Sequence, residues 1–267
     1  MKRFGTSVLV FAGFIAGIAF VYSCGGGGGG AIAAPIEAVG TEITSLPYTI
    51  SSSGSYYLGG DLSSTGVGIT VNADNVTIDL MGFTITGPGS GSDNGIDIGG
   101  RSNVVIRNGT VTDFGASGIA SSGELLQAIN IRSISNSWAG ILLGGTGNRI
   151  INCTAAHNAN AGLYLNGGGT IINSTAYNNQ FIGVYLSGNG GTVIGNTAYN
   201  NQDDGISVGW GVTVKNNSAY FNQNNGIDPS GYDLLDGNTT YANNQAGGSF
   251  LNIDTCATCT YGSNVAP

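Results

Sequence analysis

Charged side chains are scarce in this chain: Asp, Glu, Lys and Arg make up 8% of its 267 residues. An average globular protein has about 25%, so Asn, Ser, Thr and Gly must cover most of this surface. Only seven residues are Lys or Arg, against 15 Asp or Glu. This balance argues against a nucleic-acid partner, which requires clustered basic residues. It also disfavours direct binding of polyanionic glycans unless a cation bridges them.

Histidine, cysteine and proline are also rare, with one, four and five residues. His157 is the only histidine, so a zinc site would lack ligands. Glycine is abundant at 48 residues, but the few prolines and the missing Gly-x-y period exclude a collagen helix. Cys256 and Cys259 form a C-x-x-C outside any βαβ pattern, so we expect a small disulfide that staples the chain end.

The apolar run from Val8 to Val21 is shorter than the about 20 residues of a membrane-spanning helix. Lys2 and Arg3 precede it and Ser23-Cys24 follow it, so residues 1–23 are predicted to be an export signal. The segment resembles a bacterial lipoprotein signal, which implies lipidation of Cys24 and a glycine-rich tether over 24–40. The alternatives are cleavage after Ala33 with free secretion, and an uncleaved anchor.

A glycine followed by an apolar residue recurs every 21 to 23 residues through most of the chain. The pairs are Gly95-Ile96, Gly118-Ile119, Gly140-Ile141, Gly162-Leu163, Gly183-Val184, Gly205-Ile206 and Gly226-Ile227, and Gly248 follows 22 residues later. A fixed period of this length indicates structural units that cannot bury an apolar face alone and must stack.

Each repeat holds three short segments typical of strands. One follows the glycine, as in Leu163-Tyr164-Leu165, and a second is apolar, as in Val212-Thr213-Val214. Segments such as Asn196-Thr197-Ala198 form the third. The turns between them leave no room for a crossover helix, so the strands must stack in parallel from coil to coil. Parallel connections are right-handed. We therefore predict an all-β, right-handed parallel β-helix of eight or nine coils over 41–267, with caps at 41–62 and 248–267.

Asparagines recur at two positions of the repeat and are expected to stack as hydrogen-bonded amide ladders. Four residues before the glycine lie Asn136, Asn158, Asn179, Asn201, Asn222 and Asn244. Ten residues before it lie Asn130, Asn152, Asn173, Asn216 and Asn238, with Gly195 interrupting. His157 shares a turn position with Asn178 and Asn200, which favours a structural role for it over that of a base.

The strings Asn75-Val76-Thr77-Ile78-Asp79 and Val105-Ile106-Arg107-Asn108-Gly109, within Ile43 to Phe114, resemble bacterial surface β-helix proteins. The repeats over about 41–248 are similar to those of the pectin-lyase-like superfamily. The resemblance implies the fold, on which lyases, hydrolases, epimerases and adhesins all occur, so it does not select a function.

Two rows of tyrosines are candidate ligand-binding residues. Tyr164 and Tyr185 are middle residues of consecutive strands, so both should point outward and stack, with Leu142 one coil earlier. Tyr177, Tyr199 and Tyr220 form a second row on a neighbouring face. Such rings suit the C–H faces of a linear glycan. The alternative is that they only cover the sheet surface, where aromatic neighbours are favourable.

Asp203, Asp204 and Asp228 are the candidate catalytic or metal-binding residues. Coil stacking should bring them together with Asn224 and Asn225. Clustered oxygens would suit Ca²⁺, or a carboxylate pair would act on a glycosidic bond. The Asp203-Asp204 pair resembles that of polygalacturonases, but their Gly-His-Gly and Arg-x-Lys elements are absent. Solvated turn acids are the simpler interpretation, so no cofactor is assigned beyond an optional Ca²⁺.

These observations predict a cell-envelope protein, exported and anchored by lipid, or alternatively secreted. Its expected role is non-catalytic binding of a polysaccharide or cell-surface glycan, a neutral one by charge, or surface attachment. A carbohydrate-active hydrolase or lyase and a purely structural envelope component are the two alternatives.

Overall fold

The computed structural model describes residues 12–15, 18–21, 40–249 and 251–266. Ala12–Ile15 and Ile18–Val21 pair as two antiparallel strands within the predicted export segment. Cys24 and the tether up to residue 39 lie outside the described residues, so lipidation stays a prediction. In the part of the chain that the structure describes, no helix is long and apolar enough to cross a membrane.

The chain from residue 41 winds into a parallel β-helix with three strands in most coils. Each strand pairs in parallel with the equivalent strand one coil later, as when Leu163 lies opposite Val184. The first sheet holds nine strands, which confirms the predicted coil number. They are Tyr48–Ile50, Ile69–Val71, Ile96–Gly99, Ile119–Ser121, Ile141–Gly144, Leu163–Asn166, Val184–Leu186, Ile206–Trp210 and Ile227–Gly231.

The other two sides share the strands Val104–Thr112 and Gln127–Ile134, which run round the corner between them. The second side otherwise holds Thr41–Ile43, Gly54–Leu58, Val76–Asp79, Asn148–Ile151, Gly169–Ile172, Gly191–Ile194, Val212–Lys215, Leu234–Asp236 and Thr260–Tyr261. The third holds Leu62–Ser63, Thr84–Thr86, Thr154–Ala156, Thr175–Tyr177, Thr197–Tyr199, Ser218–Tyr220 and Thr239–Tyr241.

The core is a continuous stack of aliphatic side chains inside the coils. Ile141, Leu163 and Val184 follow the repeat glycines and are fully buried. Burying each such side chain contributes about 1.5–3 kcal/mol, and no coil can do so alone because its faces above and below are open. This is the physical reason for the repeat.

Each repeat glycine lies against an asparagine of the next coil, the one four residues before that coil's own repeat glycine. A Cβ on Gly183 would lie 2.5 Å from Nδ2 of Asn201 and 2.7 Å from the carbonyl oxygen of Gly205. Gly162 and Gly205 meet the same two obstacles from their own next coils. None of the three needs a left-handed backbone. The position is therefore glycine in each of these coils because it has no room for a side chain, which would displace the amide ladder.

The predicted amide ladder is confirmed in the first set of positions. The Asn179 side-chain amide donates to Oδ1 of Asn201 at 3.0 Å and to the carbonyl of Ala155 at 3.1 Å. The same contacts repeat along Asn136, Asn158, Asn179, Asn201 and Asn222. The prediction is wrong for Asn244: Asn243 receives the bond from Asn222 instead, at the usual spacing of 21 residues, because Gly248 does not hold the repeat position from which Asn244 was counted.

The second predicted ladder is displaced by one residue. Asn130, Asn152, Asn173 and Asn216 have φ between 51° and 54°, a left-handed bend that Asn tolerates well. Gly195 takes the same conformation at φ 67°, so it continues the column rather than breaking it. The buried ladder runs through the next residues instead and includes Asn238; its members are Ser174, Asn196, Asn217 and Asn238.

Both ends of the helix differ from the internal coils. The predicted amino-terminal cap, 41–62, supplies strands that pair with the next coil. Thr41–Ile43 is the end strand of the second side and pairs with Gly54–Leu58. At the other end, Ile253 lies opposite Ile227, so Gly248 does not continue the repeat as predicted. Cys256 and Cys259 form a disulfide in this terminal segment.

Candidate functional site

The candidate site lies on the outer surface of the first sheet. The middle residues of five consecutive strands face outward there, each opposite the next in the parallel pairing. In order, they are Leu142, Tyr164, Tyr185, Ser207 and Asp228. We call this column, together with Asp203 and Asp204 beside it, the tyrosine–acid strip. Successive members are about 4.8 Å apart, the spacing of neighbouring strands.

Tyr164 and Tyr185 stack as predicted, with ring centroids 4.7 Å apart and 21° between the planes. Each ring therefore has one face covered by the other, and Leu142 and Ser207 are the column neighbours on the remaining faces. The ring edges and hydroxyls remain for a ligand. The Ser187 hydroxyl donates to the Tyr164 hydroxyl at 3.3 Å. Burial, Tyr164 and Asp228 raise the pKa of Tyr185, so its hydroxyl is a donor at neutral pH.

The three predicted acids lie around the carboxyl-terminal end of this strip. Asp204 is 8% exposed, and the Asn225 backbone N–H donates to its Oδ1 at 2.8 Å. The Asn224 side-chain amide donates to Asp203 in the same way, and Ser207 contacts Asp228 at 3.4 Å. The expected juxtaposition with Asn224 and Asn225 is thus confirmed.

These carboxyls have perturbed protonation. Burial, followed by the carboxylates of Asp203 and Asp228, raises the pKa of Asp204 to about 7. Burial, then Asp254, Asp203 and Asp233, also raises the pKa of Asp228. The physical cause is that desolvation and like charge both disfavour an ionised carboxylate. At neutral pH Asp204 is therefore partly protonated and can donate a hydrogen bond.

The acids do not assemble into a metal centre. Among the described residues, no group of three or more His, Cys, Asp and Glu side chains is arranged to hold a metal ion. One oxygen each of Asp203, Asp204 and Asp228 already accepts a protein hydrogen bond. The geometry supports hydrogen bonding to a ligand better than it supports Ca²⁺ ligation.

Exposed aromatic rings border the strip on both sides. Trp138 and Phe181 lie two residues before the repeat glycine, in the column that continues to Asp203, and are 50% and 38% exposed. On the opposite border, Trp210 and Tyr232 are 55% and 65% exposed, with ring centroids 5.6 Å apart. Phe181 and Tyr232 are not among the predicted site residues, although counting back two residues from each repeat glycine would have found Phe181.

The second tyrosine row is longer than predicted and lies on the third side. Tyr177, Tyr199, Tyr220 and Tyr241 stack at centroid distances of 5.0, 5.1 and 5.1 Å with nearly parallel planes. Each inner ring is covered on both faces, so a sugar has no free face to stack on. The geometry therefore supports a structural role for Tyr177, Tyr199 and Tyr220; the ligand role predicted for them has no such support.

Two further side chains carry reactive groups without forming a site. His157 has φ 58° in the same left-handed column as Asn178 and Asn200, as its turn position predicts, and its ring meets the edge of Tyr177. Cys153 is buried, and desolvation raises the pKa of its thiol to about 11. Neither group is placed to act on a ligand at the strip.

The comparisons with known proteins agree with this architecture. A family model described as "Right handed beta helix region" matches residues 139–266. The periplasmic alginate epimerase AlgG is similar in structure, with 14% identity, a TM-score of 0.58, and coverage of 79% of this chain and 72% of AlgG. ORF18 of Geobacillus virus E2 has 15% identity and a TM-score of 0.61, with coverage of 84% of this chain and 52% of ORF18. No curated protein sequence matches the chain.

The A-module of the mannuronan C-5 epimerase AlgE4 of Azotobacter vinelandii also aligns, with 13% identity, a TM-score of 0.50, and coverage of 80% of this chain and 87% of the module. At such identities the likeness concerns the fold. The repeat, the parallel pairing and these comparisons together show that this chain has the right-handed parallel β-helix fold.

Proposed function

We propose that the tyrosine–acid strip binds a polysaccharide without acting on it chemically. The observation that carries this proposal is the Tyr164–Tyr185 stack, which continues directly into hydrogen-bonding carboxyls on one rigid sheet. The stacked rings offer a sugar apolar contact and hydroxyl hydrogen bonds, and the carboxyls suit sugar hydroxyls. Two similar structures are named as alginate or mannuronan epimerases, which supports a polysaccharide as the ligand.

Affinity electrophoresis of residues 31–267 through gels containing plant, algal and bacterial polysaccharides tests the proposal, with and without calcium. Retardation by one polymer, lost in the variant Tyr164→Ala with Tyr185→Ala, is the expected result. A matched variant, Tyr177→Ala with Tyr199→Ala, removes two stacked rings from the third side and should bind normally. Retardation by no polymer would reject the proposal and favour a structural envelope component.

A carbohydrate-active enzyme is the second candidate, favoured by the raised pKa of Asp204 next to Asp228. Two neighbouring carboxyls, one of them protonated at neutral pH, are the groups that acid–base cleavage of a glycosidic bond uses. The measurement is the appearance of new chain ends after incubation with the retarding polymer. Their appearance with the native chain, and their absence with Asp204→Asn, would establish catalysis and replace the binding-only proposal.

We also propose that the protein is exported and held at the cell envelope by a lipid on Cys24, with release after Ala33 as the alternative. The positive start, apolar run and Ser23-Cys24 support this location. Expression of the full chain in a bacterium with lipoprotein processing should place it in the membrane fraction. The variant Cys24→Ala should move it to the soluble exported fraction; an unchanged distribution would argue against the lipid.

A further inference from the structure

The border rings and acids of the tyrosine–acid strip form a surface without a compensating positive charge. Asp203 and Asp228 lie on it, Asp204 is buried beside them, and Asp254 is close enough to Asp228 to affect its ionisation. The described cations lie elsewhere. Lys215 pairs with Asp236 at 3.7 Å on the second side, and Arg107 with Asp79 at 2.8 Å.

The remaining arginines of the described chain are equally remote from the acids. Arg132 and Arg149 belong to strands of the third and second sides. Arg101 precedes the coil of Asp203 by more than four repeats. The carboxylates therefore repel one another without relief from a protein cation, and a ligand that carries positive charge would supply what the protein lacks.

The aromatic borders point to the same ligand chemistry. Phe181 lies beside Asp203 in one column, and Trp210 and Tyr232 face the solvent across the strip. An aromatic ring attracts both the C–H face of a sugar and a cation near its own face. The aromatic part of the surface meets the carboxylates here within one or two coils, or about 5–10 Å. A sugar with an ammonium group would contact a ring and a carboxylate at the same time.

We propose that the ligand of the strip is a glycan with free amino groups, of the glucosamine-polymer class, held by ring contacts and by Asp203 and Asp228. This inference rests on the proposed function, since it names the glycan that the strip binds. It replaces the neutral glycan that the overall charge predicts, because a ligand bound at the strip meets the charges of the strip and not the average charge of the protein surface. By the same charge argument, a polyuronate should bind more weakly than the amino glycan.

Calorimetric titration with defined oligosaccharides tests this inference. A fully deacetylated glucosamine hexamer is compared with the N-acetylated hexamer and with a uronate hexamer at about pH 6, where the amines carry charge. We expect the deacetylated hexamer to bind at least tenfold more tightly than either. This advantage should shrink between about 20 mM and about 200 mM salt, because salt screens charge–charge attraction.

Matched variants separate this site from the general attraction of an acidic protein. Asp203→Asn with Asp228→Asn should weaken binding of the deacetylated hexamer at least tenfold, and melting curves check that the variant is folded. Asp97→Asn with Asp113→Asn removes the same charge from distant coils and should change the affinity by less than twofold. An equal loss in both pairs would overturn the inference.

The remaining outcomes distinguish the two proposals. Equal or tighter binding of the N-acetylated or uronate hexamer would overturn the inference and leave the polysaccharide-binding function intact. If none of the three hexamers binds while another polymer retards the protein in gels, the inference is likewise overturned and the polysaccharide-binding function stands. Absence of binding by every glycan tested would reject both.

Discussion

Ser207 lies directly beside Tyr185 in the parallel pairing of the first sheet, and the stack of rings ends there. One coil later the column reaches Asp228. The outer surface thus changes from aromatic at Tyr185 to acidic at Asp228, with one coil between them. Tyr185 is the ring at this boundary, in reach of the field of Asp228, which contributes to its raised pKa.

Replacement of Tyr185 by alanine should reduce polysaccharide affinity about tenfold or more, because the ring at the boundary supplies contacts worth about 0.5–1.5 kcal/mol beyond its buried area. Tyr199→Ala should leave affinity unchanged. It should instead lower the free energy of unfolding by about 1–3 kcal/mol, since Tyr199 stacks on both Tyr177 and Tyr220. Binding isotherms and urea unfolding of both variants check this; a reversed pattern would move the site to the third side.

Alanine at Gly183 should destabilise the fold by about 1–3 kcal/mol, because its Cβ would displace the Asn201 amide and the Gly205 carbonyl. Gly60→Ala is the control, since a Cβ there meets nothing within 4 Å. Denaturant midpoints of the two variants give the comparison. Equal midpoints would mean that the repeat glycine serves something other than space.

Asn179→Ala should cost about 3 kcal/mol or more, because it removes the acceptor of the Asn158 backbone N–H and of one Asn158 side-chain N–H, and the side-chain donor to the Ala155 carbonyl. Gln180→Ala, on the neighbouring exposed residue, should change stability by less than about 0.5 kcal/mol. Thermal or urea unfolding measures both. A small effect at Asn179 would show that water can replace the ladder.

Stability should fall as pH rises from about 4 to about 7, through the titration of Asp204. Its folded pKa of about 7 lies above the unfolded value of 3.8, so the folded state binds the proton more tightly. The contribution is complete below the unfolded pKa and is lost as pH rises through the folded one. Asp204→Asn should therefore be more stable than the native chain at pH 8, with the difference vanishing towards pH 4 in urea titrations. A difference independent of pH would contradict the raised pKa.

Much of the site was predictable because a β-helix converts sequence period into spatial neighbourhood. Residues 21 or 22 apart with the same offset from the glycine must lie side by side, which places Tyr164 next to Tyr185 and Asp228 one coil beyond Ser207. The same rule failed where the period changed. Asn243 keeps the ladder spacing of 21 residues, but the segment after it is longer, so Ile253 rather than the residue after Gly248 lies opposite Ile227, and a count back from Gly248 misses the ladder.

The sequence by itself determined the parallel β-helix, the outward direction of the tyrosines and the grouping of the acids, since each follows from period and alternation. Only the tertiary structure decided which asparagines are buried amides and which are left-handed bends, because neighbouring residues differ there by backbone conformation and not by type. It also decided that the rings of the third side are covered on both faces while the Tyr185 stack ends at Ser207. That difference depends on the contacts of each ring, and it separates the structural row from the candidate site.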